Sequence, residues 1–198
     1  MKNNNCPSYF NLINGYNRKL LIEWNSKWNR RDCMDVIEAI KNRREITRYL
    51  DREIDKEVLE AVVDATYFAP TGNNLPSKDI IVITDPEKLA ALKDTTPFMP
   101  WIADAKAAVA ITGRPDVSKY WLQDSSIAAG YCWLAAVEQG LVGAFGAIYH
   151  AEDAEESEKR ESHARKILAI PADRQVVAII GLGYPAETKP PKKHILKE

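Results

Sequence analysis

The chain has 198 residues, 45% of them hydrophobic and 28% charged, with a formal net charge of −1. That length suits one domain or two very small ones, with enough chain to bury a core. The near-zero charge argues against a general nucleic-acid binder, and no apolar run approaches the roughly 18 residues that span a bilayer, so no membrane role is expected.

Cys6, Cys33 and Cys132 form no C-x-x-C, so neither a zinc site nor a disulfide framework is expected, and a reducing cytoplasm is the expected compartment. Residues 1–33 differ from the remainder. They hold eight of the eleven asparagines and six Lys/Arg against two Asp/Glu, which makes this stretch +4 and residues 34–198 −5. A secretory signal would show an apolar core of about 7–15 residues, which this stretch lacks, and it is poor in the Ser and Arg of a mitochondrial presequence. Leu20, Leu21, Trp24 and Trp28 fall at helical spacing. A loosely held extension is expected, docked through Trp24 and Trp28, with the domain proper covering 34–198.

From Met34 the elements follow one another. Met34, Val36, Ile37 and Ile40 predict a short helix with an apolar stripe, running into Lys41-Asn42-Arg43-Arg44. Asp55 is the expected cap of a helix whose apolar face is Val58, Leu59, Val62, Val63 and Ala65, ended by Ala69-Pro70. Thr71-Gly72-Asn73-Asn74 reads as a turn, residues 80–84 as a buried β-branched strand, and Asp85-Pro86 as the cap and first position of another helix. A loop of large apolar groups over 97–102 precedes a strand at 107–112. A long helix over 117–139 ends at Gly140. Its small residues, Ala128-Ala129-Gly130 and Ala135-Ala136, suit a buried central helix or a subunit interface. A strand at 141–149, a charged helix at 151–168 and a last strand at 176–180 complete the pattern. Helices alternate with strands without repeats, giving an α+β or α/β domain with helices covering a sheet of four or more strands.

Conventional catalytic equipment is scarce. His150, His163 and His194 lack metal-ligand spacing, and neither G-x-S-x-G nor a phosphate-loop GK[ST] is present. Gly181-x-Gly183 lacks the third glycine and following helix of a dinucleotide fingerprint. Cys132 reads as inert core and residues 152–166 as a solvated helix face. No catalytic side chain is nominated, so hard chemistry would have to come from a bound cofactor. Two basic clusters stand out, Arg43-Arg44 with Arg48 and Lys192-Lys193-His194. Each reads either as solvated surface or as a phosphate grip, in which an arginine fork holds two oxygens and lysine adds a point charge.

The order of features over most of 34–193 resembles the FMN-dependent nitroreductase family. That family's R-R-S-x-R-x-[FY] stands here as Arg43-Arg44-Glu45-Ile46-Thr47-Arg48-Tyr49. Its A-P-S-x-x-N-x-Q-P-W stands as Ala69-Pro70-Thr71-Gly72-Asn73-Asn74-Leu75-Pro76-Ser77-Lys78. Asp124 opening the long helix, the strand from Gly140-Leu141 to Phe145-Gly146, Leu168-Ala169-Ile170-Pro171, and Ile180-Gly181-Leu182-Gly183-Tyr184-Pro185 follow in the same order. The resemblance implies an α+β fold with a central mixed, mainly antiparallel sheet flanked by helices. It also implies a homodimer of domain-swapped style with FMN at the subunit interface. Arg43, Arg44, Glu45 and Thr47, joined by Lys192 and His194, would surround the phosphate and ribityl end. Pro70, Thr71, Asn74 and Leu75 would come from the other subunit, and Phe145-Gly146-Ala147 would lie against the isoalloxazine with a backbone N–H near N5. The implied activity is hydride transfer from NADH or NADPH through flavin N5 to nitroaromatic, quinone or similar small-molecule acceptors in a ping-pong cycle. Phe98, Met99, Trp101, Tyr120 and Trp121 are candidates for acceptor-pocket walls or for plain core. Dehalogenating or flavin-cleaving chemistry on the same fold, or a flavin-binding protein of low turnover, are the alternatives. This chain departs from the pattern at Glu45 in place of serine, at Thr47 in place of a basic residue (Arg48 being the suggested stand-in), at Pro76-Ser77-Lys78 in place of Q-P-W, and at His194 in place of arginine.

Overall fold

Helix boundaries fall where the chain supplies groups for the amides and carbonyls that a helix leaves unpaired. The computed structural model describes residues 34–190, all within the unit that runs from Met34 to Glu198. The expectations for residues 1–33, and for Lys192 and His194, lie outside the described residues. Asp35 opens α1 (Val36–Asn42) by accepting the Glu38 N–H at 2.8 Å. Asp85 opens α3 (Pro86–Leu92) through the Glu87 N–H at 2.9 Å, with Pro86 in the first turn. Asp153 opens α5 (Ala154–Leu168) through the Glu156 N–H at 2.9 Å. Asp55 precedes α2 (Lys56–Tyr67), but its side chain caps no amide. Its carboxylate instead accepts from the Tyr184 hydroxyl at 3.1 Å and pairs with Arg52. The long helix α4 (Trp121–Glu138) begins four residues later than its apolar pattern suggests, because the Val117 and Ser118 amides turn back to the Arg114 carbonyl. It closes with the Leu141 N–H on the Ala136 carbonyl and the Gly140 N–H on the Val137 carbonyl. Gly140 sits at φ +78°, a conformation that glycine takes without a Cβ clash.

Strands β1 (Lys78–Ile83), β2 (Ala107–Gly113), β3 (Val142–Ala147) and β4 (Gln175–Gly183) form one sheet in the order β1-β2-β4-β3, each neighbouring pair antiparallel. A parallel bridge from Glu45 to Gly143 extends the β3 edge, and an antiparallel one joins Tyr49 to Pro185. The sheet is therefore mixed and mainly antiparallel, flanked by helices, as expected.

Alternation along β2 and β4 divides the core. Ala108, Ala110 and Ile179 face α3, the 3-10 turn Pro100–Asp104 and α5. Val109, Ile111, Ile180 and Leu182 face α2 and α4. Between Ile111 and Thr112 the register slips, so that Ile111 pairs with Ala178 but Thr112 with Val176. Val177 is the extra residue, and the bulge returns Val176 to the face of Ile179. Leu89, Leu92, Ile102, Ile179, Ile180 and Leu182 are almost wholly buried. Each contributes about 1.5–3 kcal/mol by leaving water.

The packing qualifies one expectation and corrects another. The apolar stripe on α1 is present, but Val36, Ile37 and Ile40 are exposed, and Ala39 is the residue that packs inward. The charged stretch 152–166 is not all solvated, because Arg160 and Glu161 are buried. Glu161 accepts the Val176 N–H at 2.8 Å, the Ser157 hydroxyl at 2.9 Å and Arg165 at 3.1 Å, tying α5 to the start of β4. Among the described residues no helix is long and apolar enough to cross a membrane.

Candidate functional site

The segment after α1 lies against both α4 and the β3 edge. The Arg43 guanidinium sits 4.3 Å from the centroid of the Trp133 ring, a cation–π contact. The Trp133 ring in turn stacks on Phe145 of β3, with centroids 6.0 Å apart and planes 25° from parallel. The indole N–H of Trp133 is buried and meets no acceptor among the described residues. A buried donor left in that state costs about 1–3 kcal/mol unless something outside the described chain answers it.

Arg44 is differently employed. Its Nε donates to the Pro190 carbonyl at 3.0 Å, and a terminal nitrogen donates to the carbonyls of Lys41 and Arg43 at 2.7 and 2.8 Å. The Lys189 ammonium donates to the Glu45 carbonyl at 2.5 Å. These bonds lay residues 189–190 along residues 44–45, so Arg43, Arg44 and Lys189 gather in one region of the molecule. The sequence reading overlooked Lys189, although it belongs to the same Lys-Pro-Pro-Lys-Lys run as Lys192. Glu45 itself is exposed, its backbone bridged to β3. Thr47 is half-buried, while Arg48, the suggested stand-in, is exposed and reaches Glu187 at 3.9 Å.

The β3 edge offers backbone groups. The Gly143 carbonyl faces away from β4 to accept the Ile46 N–H at 3.2 Å, and the Ala147 carbonyl accepts from Arg160 at 3.2 Å. By the alternation of an antiparallel ladder, Phe145 between them also turns its N–H outward, where the described residues supply no acceptor. Gly146 faces the other way: a Cβ there would lie 2.1 Å from the Met99 Sδ. That contact places Met99 in the core, fully buried, and Trp101 packs over Gly181. Trp121 stands edge-on to Tyr149 at 5.1 Å. Of the suggested pocket walls, Phe98 and Tyr120 are exposed, Trp101 and Trp121 are half-buried and Met99 is buried.

The loop after α2 is built separately. A 3-10 turn, Gly72–Asn74, carries two successive left-handed residues, Asn73 and Asn74, both at φ 56°. Asparagine visits that region more readily than most residues. Asp124, buried in the first turn of α4, accepts the Gly72 N–H at 3.0 Å through Oδ1 and the Ser77 hydroxyl at 2.5 Å through Oδ2. Gly72 packs on Tyr120, whose ring would lie 2.4 Å from a Cβ. The Lys78 ammonium donates to the Ala69 carbonyl at 2.7 Å. Burial pushes its pKa down, and the Asp124 charge acts in the opposite direction. Pro70, Asn74 and Leu75 are exposed and Thr71 is half-buried. Asp124 and Trp133 are nine residues apart on α4, about 13 Å along the axis. Within one chain the loop and the Arg43 region are thus anchored at well-separated points of one helix.

Among the described residues no group of His, Cys, Asp or Glu could hold a metal ion. An open cleft of about 480 Å³ beside Tyr49 and Asp104 contains Lys106, but Asp51 already holds that ammonium at 2.6 Å.

The sequence profile of the Nitroreductase family matches residues 40–96. A protein of Methanothermobacter thermautotrophicus, provisionally assigned as an NADH dehydrogenase/NAD(P)H nitroreductase, is 33% identical over 157 residues, covering 78% of this chain and 79% of its own. An FMN-dependent nitroreductase of Clostridium difficile superposes with a TM-score of 0.73 at 30% identity, over 79% of this chain and 91% of that one. A crystal structure from Bacteroides thetaiotaomicron, with the same provisional assignment as the Methanothermobacter protein, superposes with a TM-score of 0.75 at 27% identity, over 82% and 93% of the two chains.

Proposed function

The chain belongs to the nitroreductase family, and from that membership we propose that it is an FMN-dependent oxidoreductase. It would pass a hydride from NADH or NADPH to a small nitroaromatic, quinone or similar acceptor, working as a homodimer in a ping-pong cycle. The observation that carries this reading is the Arg43–Trp133–Phe145 cluster, where a guanidinium, an unanswered buried indole N–H and an outward strand N–H lie together. Such a set suits a polyanionic, oxygen-rich, planar ligand, and FMN is one. Bound there, the flavin would supply the redox chemistry that no side chain of the site provides.

The protein's part is to hold and orient. Arg44 spends three hydrogen bonds on backbone carbonyls, so the phosphate charge would fall chiefly to Arg43, supplemented by Lys192 and His194. Glu45 and Thr47 would flank the ribityl chain, the Glu45 carboxylate turned away from the phosphate. The backbone of Phe145, Gly146 and Ala147 would align the ring without a titrating group. Pro70, Thr71, Asn74 and Leu75 would reach the flavin of the opposite subunit, in keeping with their separate anchorage on α4. The exposed apolar groups of α1 and α4, Val36, Ile37, Ile40, Ile127 and Tyr131, favour a second copy as their cover.

Purification and titration test the proposal. The expected protein is yellow or takes up FMN with a gain in thermal stability, and NADH or NADPH bleaches the flavin band under anaerobic conditions until a quinone restores it. Colourless protein that gains neither a flavin spectrum nor stability from added FMN would overturn it. Flavin reduced by dithionite but by neither nicotinamide would favour a low-turnover binder, and loss of the chromophore under oxygen would favour flavin cleavage.

A further inference from the structure

One buried carboxylate fastens both ends of the loop that carries Asn74. Asp124 takes the Gly72 N–H on one oxygen and the Ser77 hydroxyl on the other, so residues 73–76 are bracketed by a single side chain on α4. Between the two attachment points the backbone makes two consecutive left-handed turns, at Asn73 and Asn74. That conformation costs energy for any residue but glycine and persists only where the surroundings impose it. Local bonds alone are modest: the Asn74 N–H reaches the Thr71 carbonyl at 3.1 Å, and the Leu75 N–H reaches the Gly72 carbonyl at 3.2 Å. The Asp124 bonds are charge-assisted and out of water, which makes them the strongest ties on the loop. Tyr120, against Gly72, blocks movement toward the helix. The loop is rigid at its base, yet it displays Asn73, Asn74 and Leu75 to solvent. Such an arrangement serves presentation better than packing.

We infer that Asp124 is a positioning residue for cofactor binding: acting through Gly72 and Ser77, it presets the backbone that offers Asn74 to the flavin of the opposite subunit. This rests on the proposed function above. Its cost to the protein is a buried charge, and its return is a binding loop ordered before the ligand arrives.

The test is FMN affinity, read by flavin fluorescence quenching, together with the visible circular dichroism of the bound flavin, in Asn74→Ala, Ser77→Ala, Asp124→Asn and the Asn74→Ala/Ser77→Ala double variant of the full chain. Ser77→Ala deletes one bracket only and serves where an Asp124 variant fails to fold. If Asp124 acts through the loop, Ser77→Ala weakens FMN about tenfold, the equivalent of one lost hydrogen bond. Asp124→Asn, which keeps one acceptor, weakens it several-fold with an altered flavin dichroism. The double variant then binds no worse than Asn74→Ala alone, because both changes act through one loop. If Asn74→Ala weakens binding while Ser77→Ala and Asp124→Asn lower only the melting temperature, the inference is overturned and the site reading stands. If Asn74→Ala itself binds FMN like the parent, the loop's place in the site is wrong, and the inference goes with it.

Discussion

Cys132 shows how far a single side chain can be read. It lies on α4 among Ala128, Ala129 and Ala136 with no exposed surface, and burial pushes its thiol up to about 12 against a weaker opposing bond from Thr66. At neutral pH the thiolate is absent. Iodoacetamide is therefore expected to leave Cys132 unmodified in the native protein and to label it only after denaturation, as read by peptide mass spectrometry. Labelling of the native state would contradict the burial. Glu161 is the opposite case, since nothing in its charged surroundings distinguishes it in sequence. Burial raises its pKa, while the Val176 amide, Ser157 and Arg165 pull it back. A carboxyl group that is a weaker acid folded than unfolded binds its proton more tightly in the native state. Its contribution to stability therefore falls as pH rises through the raised value, the reverse of a salt-bridged aspartate. The stability of the parent relative to Glu161→Gln, measured by urea unfolding, is expected to decline from pH 4 to pH 7. A flat or rising difference would show that Arg165 outweighs desolvation.

At the level of elements, local rules located most boundaries and failed where side chains had other partners. Asp35, Asp85, Asp153 and Gly140 act as the caps their types suggest. Asp55 does not, because Tyr184 and Arg52 claim its carboxylate from elsewhere in the fold. The end of α5 carries a testable strain: Ala169 occupies a left-handed cap at φ 54°, where the Cβ is penalised. Ala169→Gly is expected to stabilise the protein by about 0.5–1 kcal/mol, the relief of the Cβ being partly offset by the freer unfolded chain. Differential scanning calorimetry should show a rise in Tm of about 2 °C. A fall would mean that the Ala169 methyl contributes packing that the geometry does not display.

For the whole molecule, what stands out is an apolar surface without a partner among the described residues. The stripe on α1 was legible as a helix face, but its burial partner was not, because among the described residues no α-helix or strand covers Val36, Ile37 or Ile40. Gly130 on α4 likewise has nothing within 4 Å of a virtual Cβ, beside exposed Ile127 and Tyr131. Sedimentation equilibrium is expected to return twice the chain mass. Ile127→Glu, which would bury a charge in that surface, is expected to weaken self-association at least tenfold and FMN affinity with it. A monomeric parent that still binds FMN would show that one chain suffices for the site.

Sequence alone determined the β-branched and apolar strands, the capped helices and the order of motifs, since each depends on residues within a few positions of one another. It also located the basic clusters, though not what they touch. Tertiary structure alone decided that Arg44 reaches Pro190, 146 positions away, that Asp124 reaches Ser77 across 47, and that Arg43 meets Trp133 and Phe145. Those meetings depend on how α4 lies across the sheet and which strand ends at its edge. That is set by the collective packing of two apolar faces, which no local stretch of sequence contains.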